Sequence, residues 1–283
     1  MREGEEARPT HAALGRSVVE LFHFRSGATP LIVSMPHTGT FIPEAILQRL
    51  TPAARALPDT DWHLERLYDF LDELGASVLA ATHSRYVVDL NRPPSNENLY
   101  PGQDTTGVVP TDTFAKEPLY VEPSQLEQAE APKRIEAFWQ PYHVKLKQEL
   151  DAIQQRHGYV LLWDAHSILS RVPRFFSGRL PDFNLGTAEG KSCGQGLGER
   201  LHDIARRAHR YSAVLNGRFK GGYITRHYGA PARRVHAVQL ELAEVTYMEE
   251  LAPFAFRKSR AAKVRPHLKG MLEAMLDWGA TRG

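Results

Sequence analysis

The chain has 283 residues, 42% of them hydrophobic and 24% charged, with 35 basic side chains set against 33 acidic ones for a net charge of +2. That balance excludes the strong basic bias of a nucleic-acid or anionic-membrane binder. A single cysteine, Cys193, excludes an internal disulfide framework and a cysteine-built zinc cage.

In chain order, the opening MREGEEARPTHA is acidic and polar, so residues 1–15 are expected to form a flexible tail without a signal peptide. No apolar run reaches the roughly 18 residues of a membrane span, and a cytoplasmic location is expected. Residues 16–283 read as one α/β domain. Residues 30–36 (PLIVSMP) are a short buried strand that runs into His37, Thr38 and Gly39. Asp59, Thr60 and Asp61 then precede a helical stripe over residues 61–74, with Leu64, Leu67, Tyr68, Leu71 and Leu74 on one face and Gly75 as its stop. Strands are predicted at 77–81 (SVLAA) and 86–90 (YVVDL), the second ending in Asn91 and Arg92. Residues 92–123 and 170–194 are long, aperiodic and rich in Gly, Pro, Asn and Asp, as functional coverings are. Between them lie a helical stretch, 125–157, broken or restarted at Pro141, and a strand, 159–163 (YVLLW), that ends in Asp164, Ala165, His166 and Ser167. A helix at 196–209 follows, then a strand at 236–242 (HAVQLEL) and a helix at 257–278 interrupted at Pro266. Alternating strands and helices predict a three-layer α/β sandwich with a mostly parallel sheet.

Open α/β sheets bind ligands beyond the carboxyl ends of their strands. His37, His166 and the Asn91–Arg92 pair fall there, and Gln239 and Glu241, two residues apart, share one strand face. The small neighbours Gly39 and Ala165 leave room for a ligand. Two histidines and one acid from Asp59–Asp61 meet the ligand count of a catalytic zinc that keeps a position for water. Other readings stand beside this one. A histidine closing a strand is often structural, Asp61 is also suited to capping the helix after it, and Glu241 could face solvent. His63, His83, His143 and His157 read as structural or surface residues.

Seven segments in order are similar to the N-formylglutamate amidohydrolase family: PHTGTFIP (36–43), LPDTDWHLERLYDF (57–70), SRYVVDLNRPP (84–94), LLWDAHSI (161–168), RLPDFNLGT (179–187), NGRFKGGYITRHYG (216–229) and HAVQLELAEVTYM (236–248). The resemblance implies a fold similar to zinc carboxypeptidases and aspartoacylases, and a catalytic domain that hydrolyses N-formyl-L-glutamate to formate and glutamate in histidine degradation. It implies one divalent metal, zinc, held by His37, His166 and Asp61, with Glu241 as general base and Asn91–Arg92 gripping a substrate carboxylate. The position three residues after His37, where the related folds carry their ligand acid, is Thr40, so Asp59 and His63 stand as substitutes for Asp61. Two carboxylates on the substrate call for a second cation, read as Arg226, with Asn216, Arg218 and His227 in the same segment. The partner is a small acidic molecule rather than nucleic acid or membrane. A two-histidine, one-carboxylate site also accepts Mn, Co or Fe. A deacylase for another N-acyl amino acid and a non-catalytic carboxylate-binding protein are the competing readings.

Overall fold

The computed structural model describes residues 19–122 and 130–282, so the expected tail over residues 1–15 lies outside the described residues. Seven strands form one sheet: β1 (Phe22–Arg25), β2 (Leu31–Met35), β3 (Ser77–Ala81), β4 (Val160–Ile168), β5 (Phe183–Gly186), β6 (Ala213–Leu215) and β7 (Val235–Ala243). Their order is β1-β3-β2-β4-β7-β5-β6. The central run β3-β2-β4-β7 is parallel, β1 and β5 join it antiparallel, and β6 pairs parallel with β5. The α/β class and the mostly parallel sheet match the expectation.

Three one-turn helices, α1 (Glu44–Leu47), α2 (Pro52–Arg55) and α3 (Leu64–Leu67), follow β2. Next come α4 (Glu130–Arg134), a π-helical turn at Ile135–Trp139, α5 (Gln140–His157), α6 (Leu197–Arg207), α7 (Tyr223–Tyr228) and α8 (Lys258–Ala280). No helix among the described residues is long and apolar enough to cross a membrane. Alternation along the strands sends side chains to two cores. Leu161, Trp163, Val238 and Leu240 pack with α6 and α8, whereas Val160, Leu162, Val235 and Ala237 pack with α5 and α7.

Several expected elements differ. Residues 86–90 are buried but fold as turns: Tyr86 and Val87 enter one core cluster while Val88 and Leu90 enter another, and Val87 N–H and Arg92 N–H bond back to Ser84 and Asp89. The stripe at 61–74 is fully buried as expected, yet only Leu64–Leu67 is helical, because His63 enters it at φ 62° and the chain then continues in turns to Gly75 at φ 59°. Pro141 neither breaks nor restarts the helix: α4, the π-helical turn and α5 run on as one helical stretch, with the π-turn just before the proline. Pro266 does not interrupt α8. It is exposed, so the backbone carbonyl it leaves unpaired can be hydrated. The expected loop at 170–194 contains β5.

Beneath α7, His143 of α5 is buried, with Nε2 2.9 Å from Leu90 O and Nδ1 3.0 Å from Tyr228 Oη. Burial pushes its pKa down to about 3. A histidine held neutral in the fold stabilises it fully above the unfolded pKa of 6.5, and that stability is lost as pH falls toward about 3. At pH 5 the loss reaches about 2 kcal/mol. Denaturant melts should therefore show wild type losing more stability than His143→Gln between pH 6.5 and 5. Parallel pH slopes would show that His143 plays no such part.

Candidate active site and metal centre

The parallel pair β4–β7 changes character halfway along one face. At its start that face carries Val160 and Leu162 on β4 and Val235 and Ala237 on β7, all packed in the core. Two residues further it carries Asp164 beside Gln239, then His166 beside Glu241. The switch from apolar to polar places these side chains at the carboxyl end of the sheet, where β2 also delivers His37.

His37, Asp61 and His166 converge there. Each is buried, and their ligand atoms lie within 4.8 Å of one another. Asp61 Oδ2 stands 3.0 Å from His166 Nδ1 and 3.7 Å from His37 Nδ1. Asp61 N–H donates to His37 O, which ties the turn after residue 57 to the end of β2. The far nitrogens are held as well. His37 Nε2 lies 2.8 Å from Asp89 Oδ1, and His166 Nε2 lies 3.1 Å from Asp164 Oδ1 and 2.8 Å from Asn91 Nδ2. Asn91 is itself oriented by Ile224 N–H, which donates to its Oδ1 at 2.8 Å. The Asp89 carboxylate fixes the His37 ring and raises its basicity, the usual support for a metal-ligating histidine, while Asn91 holds His166 and Asp164 adds its charge beside it. The donor set therefore fits a divalent ion.

The charges point the same way. Burial alone would raise the Asp61 carboxyl, but His166 and His37 more than offset it and hold it below the ordinary carboxylate range. Burial would lower His166, but Asp164 and Asp61 hold it well above the ordinary histidine value. The cluster thus stabilises positive charge between its acids.

The substitute ligands are placed elsewhere. Asp59 Oδ2 accepts from Tyr86 Oη at 2.7 Å and Phe114 N at 2.8 Å, and His63 Nε2 pairs with Phe254 O at 2.7 Å. Gly39 does not make room for a ligand, since a Cβ there would lie 2.2 Å from His83 O, and Ala165 belongs to the core on the opposite face.

Above the cluster is a pocket of about 550 Å³ of non-protein space, part of it open to solvent. His37, His166, Glu241, Asn91, Arg92 and Arg218 line it, and Tyr100, Phe114 and Phe175 from the two long aperiodic segments cover it. Burial pushes the Glu241 carboxyl up to about 8, with Asp61 and Asp164 adding to the rise and His166 and Arg85 opposing it. Arg92 donates to Thr106 O and Asn91 O at 3.0 and 3.3 Å. The pocket lining does not include Asn216 or Arg226. Asn216 is a turn residue whose side chain bonds Thr187 N and Thr187 Oγ1, and Arg226 bonds Gly221 O at 2.7 Å.

Residues outside the expected ligand and substrate-binding set complete the site. Asp89 and Asp164 support the histidines, and Arg85 lines the pocket and donates to Asp89 Oδ2 at 2.6 Å. Gln239 Oε1 accepts from Gly222 N at 2.7 Å. Asp89 and Asp164 were visible as lone acids ending apolar runs, and the pairing of each with a histidine is a tertiary fact. Gly222 is there for space: a Cβ at that position would lie 2.4 Å from Asn91 Nδ2. Gly222→Ala should cost about 1–3 kcal/mol of stability through this overlap. It should also lower kcat/KM by displacing Asn91 from His166, so wild-type stability and turnover would show that the contact yields freely.

Fold and site together define an α/β protein with a metal-competent His–Asp–His group under an arginine-bearing pocket. The chain belongs to the N-formylglutamate amidohydrolase family, whose sequence profile matches residues 29–248. It is 52% identical over 263 residues to N-formylglutamate deformylases of Pseudomonas putida and Pseudomonas aeruginosa, covering 93% of this chain and 98% of each relative. The crystal structure of N-formylglutamate amidohydrolase from Ralstonia eutropha JMP134 superposes with a TM-score of 0.78 at 26% identity, over 94% of this chain and 100% of that one. The gene product Atu2144 of Agrobacterium tumefaciens shares the fold, with a TM-score of 0.65 at 17% identity over 92% and 96% of the two chains.

Proposed function

We propose that this chain hydrolyses N-formyl-L-glutamate to formate and L-glutamate, with one divalent metal, zinc, held by His37, Asp61 and His166. The observation that carries this reading is the convergence of those three side chains beside Glu241, with a further carboxylate beside each imidazole. Two relatives at 52% identity that bear the name N-formylglutamate deformylase support the substrate.

A bound zinc ion would supply Lewis acidity toward the formyl carbonyl and lower the pKa of a water. Glu241 takes the proton of the attacking water and returns it to the nitrogen of the departing glutamate. A carboxyl raised by burial suits both halves of that task, because it binds the proton firmly without being a strong acid. Arg92 presents a planar fork to a substrate carboxylate, with its other donors fixed on Thr106 and Asn91. Asn91 keeps His166 in place. Tyr100, Phe114 and Phe175 add an apolar part to the pocket lining.

The test is formate release from N-formyl-L-glutamate, with N-acetyl-L-glutamate in parallel, before and after chelation. Release confined to the formyl compound and lost on chelation is expected. Turnover of the acetyl compound at a similar rate would favour the wider deacylase reading.

A further inference from the structure

Three arginines line the pocket, and only one is neutralised. Arg85 pairs with Asp89 at 2.6 Å. Arg92 and Arg218 have no carboxylate oxygen within 4.0 Å among the described residues, and both give their donors to neutral acceptors. Arg218 donates from Nε to Phe175 O at 2.7 Å and from Nη2 to Asp104 O at 3.3 Å, which leaves Nη1 without a partner among the described residues. Its guanidinium lies 5.3 Å from the Tyr100 ring centre, 5.6 Å from Phe175 and 5.3 Å from Phe219. Burial among these groups holds its pKa below arginine's ordinary value. The rings attract the cation, and with no carboxylate oxygen against it the guanidinium keeps a donor edge open to an anion. By contrast, Arg174 on the same cover is matched by Asp104 and Asp112, and Arg226 stacks on Tyr100 from outside the lining.

Resting on the N-formylglutamate reading, we infer that Arg218 is the specificity-determining residue for the distal side-chain carboxylate of the substrate. The α-carboxylate, one carbon from the scissile amide nitrogen, falls to Arg92, whose neighbour Asn91 touches His166. The γ-carboxylate lies farther from the reacting bond, on the side where Arg218 binds the backbone of both covering segments. Two unpaired guanidiniums then meet two carboxylates.

The experiment compares wild type, Arg218→Ala and Arg218→Lys, all metal-loaded, on N-formyl-L-glutamate and N-formyl-L-glutamine. Thermal melting and metal content are measured alongside, and calorimetry follows the binding of L-glutamate and L-glutamine. Arg218→Ala should lower kcat/KM on formylglutamate by about 10–100-fold, mostly through KM, and weaken L-glutamate binding by a similar factor. Its turnover of formylglutamine and its affinity for L-glutamine should stay at the wild-type level, with Arg218→Lys intermediate on the acidic ligands. An equal loss on both ligands of a pair, or no loss on either, would overturn the assignment. If wild type releases no formate from either compound, the N-formylglutamate reading fails, and the glutamate and glutamine binding arm still decides the role of Arg218.

Discussion

Glu241→Gln is expected to cut formate release from N-formyl-L-glutamate by about 10²–10⁴-fold, the range that a positioned proton carrier contributes. The substitution keeps the size and hydrogen-bonding outline of the side chain and removes its basicity. Glu241 stands on β7 in register with His166, and its side chain joins the pocket lining, so it faces the pocket without joining the His37–Asp61–His166 group. The variant should therefore keep its fold and its metal, and its KM should move little beside kcat. The pH profile carries the same information. Only the deprotonated carboxyl can accept a proton, so wild-type activity should rise as pH rises through the Glu241 pKa, placed at about 8 by burial. A cation beside it would draw that limb to lower pH. Glu241→Gln should lack the limb. Measuring kcat/KM from pH 5.5 to 9 for both proteins, with metal content at each point, checks it. A variant with near wild-type turnover would remove Glu241 from the chemistry.

His166→Ala should abolish metal binding under conditions that saturate wild type, and formate release with it. His166 lies between Asp61 at 3.0 Å and Asp164 at 3.1 Å, all three of them buried. Removing the imidazole takes the shared partner from two buried acids, leaving Asp61 with only the longer contacts to His37 and Arg85 at 3.7 and 3.9 Å, and breaking a buried pair in this way costs about 3–5 kcal/mol. Asp164→Asn separates the two effects, because it spares the ligand and weakens only its support. It should reduce metal affinity by about 10–100-fold, read by competition with a chromogenic chelator, while the protein stays folded. Unchanged affinity in both variants would move the metal away from this cluster.

The sequence revealed those side chains whose placement follows from strand periodicity. His37 and His166 end apolar runs, and Glu241 stands two residues from Gln239 on one strand face, so each could be assigned to the carboxyl end of the sheet. Asp61 was legible only as one of two acids before a buried stripe. What separates it from Asp59 is the hydrogen bond from its own N–H to His37 O, a contact between distant segments. The turns at 86–90 were hidden because an apolar run buried on all sides looks the same as a strand or as packed turns. The strands β1, β5 and β6 have three or four residues each, too short to show a period. Arg218 and Arg226 sit in one glycine-bearing segment with nothing local to rank them. The fold turns Arg218 into the pocket and places Arg226 on the outer side of Tyr100.

The most direct test of the metal-centred reading is a reconstitution titration. Protein stripped of metal is given zinc in steps, and the rate of formate release from N-formyl-L-glutamate is followed at each step. The reading predicts no release at the start and a linear rise that levels off at one equivalent. Full activity in the stripped protein, or a rise that continues to a second equivalent, would contradict a single ion held by His37, Asp61 and His166.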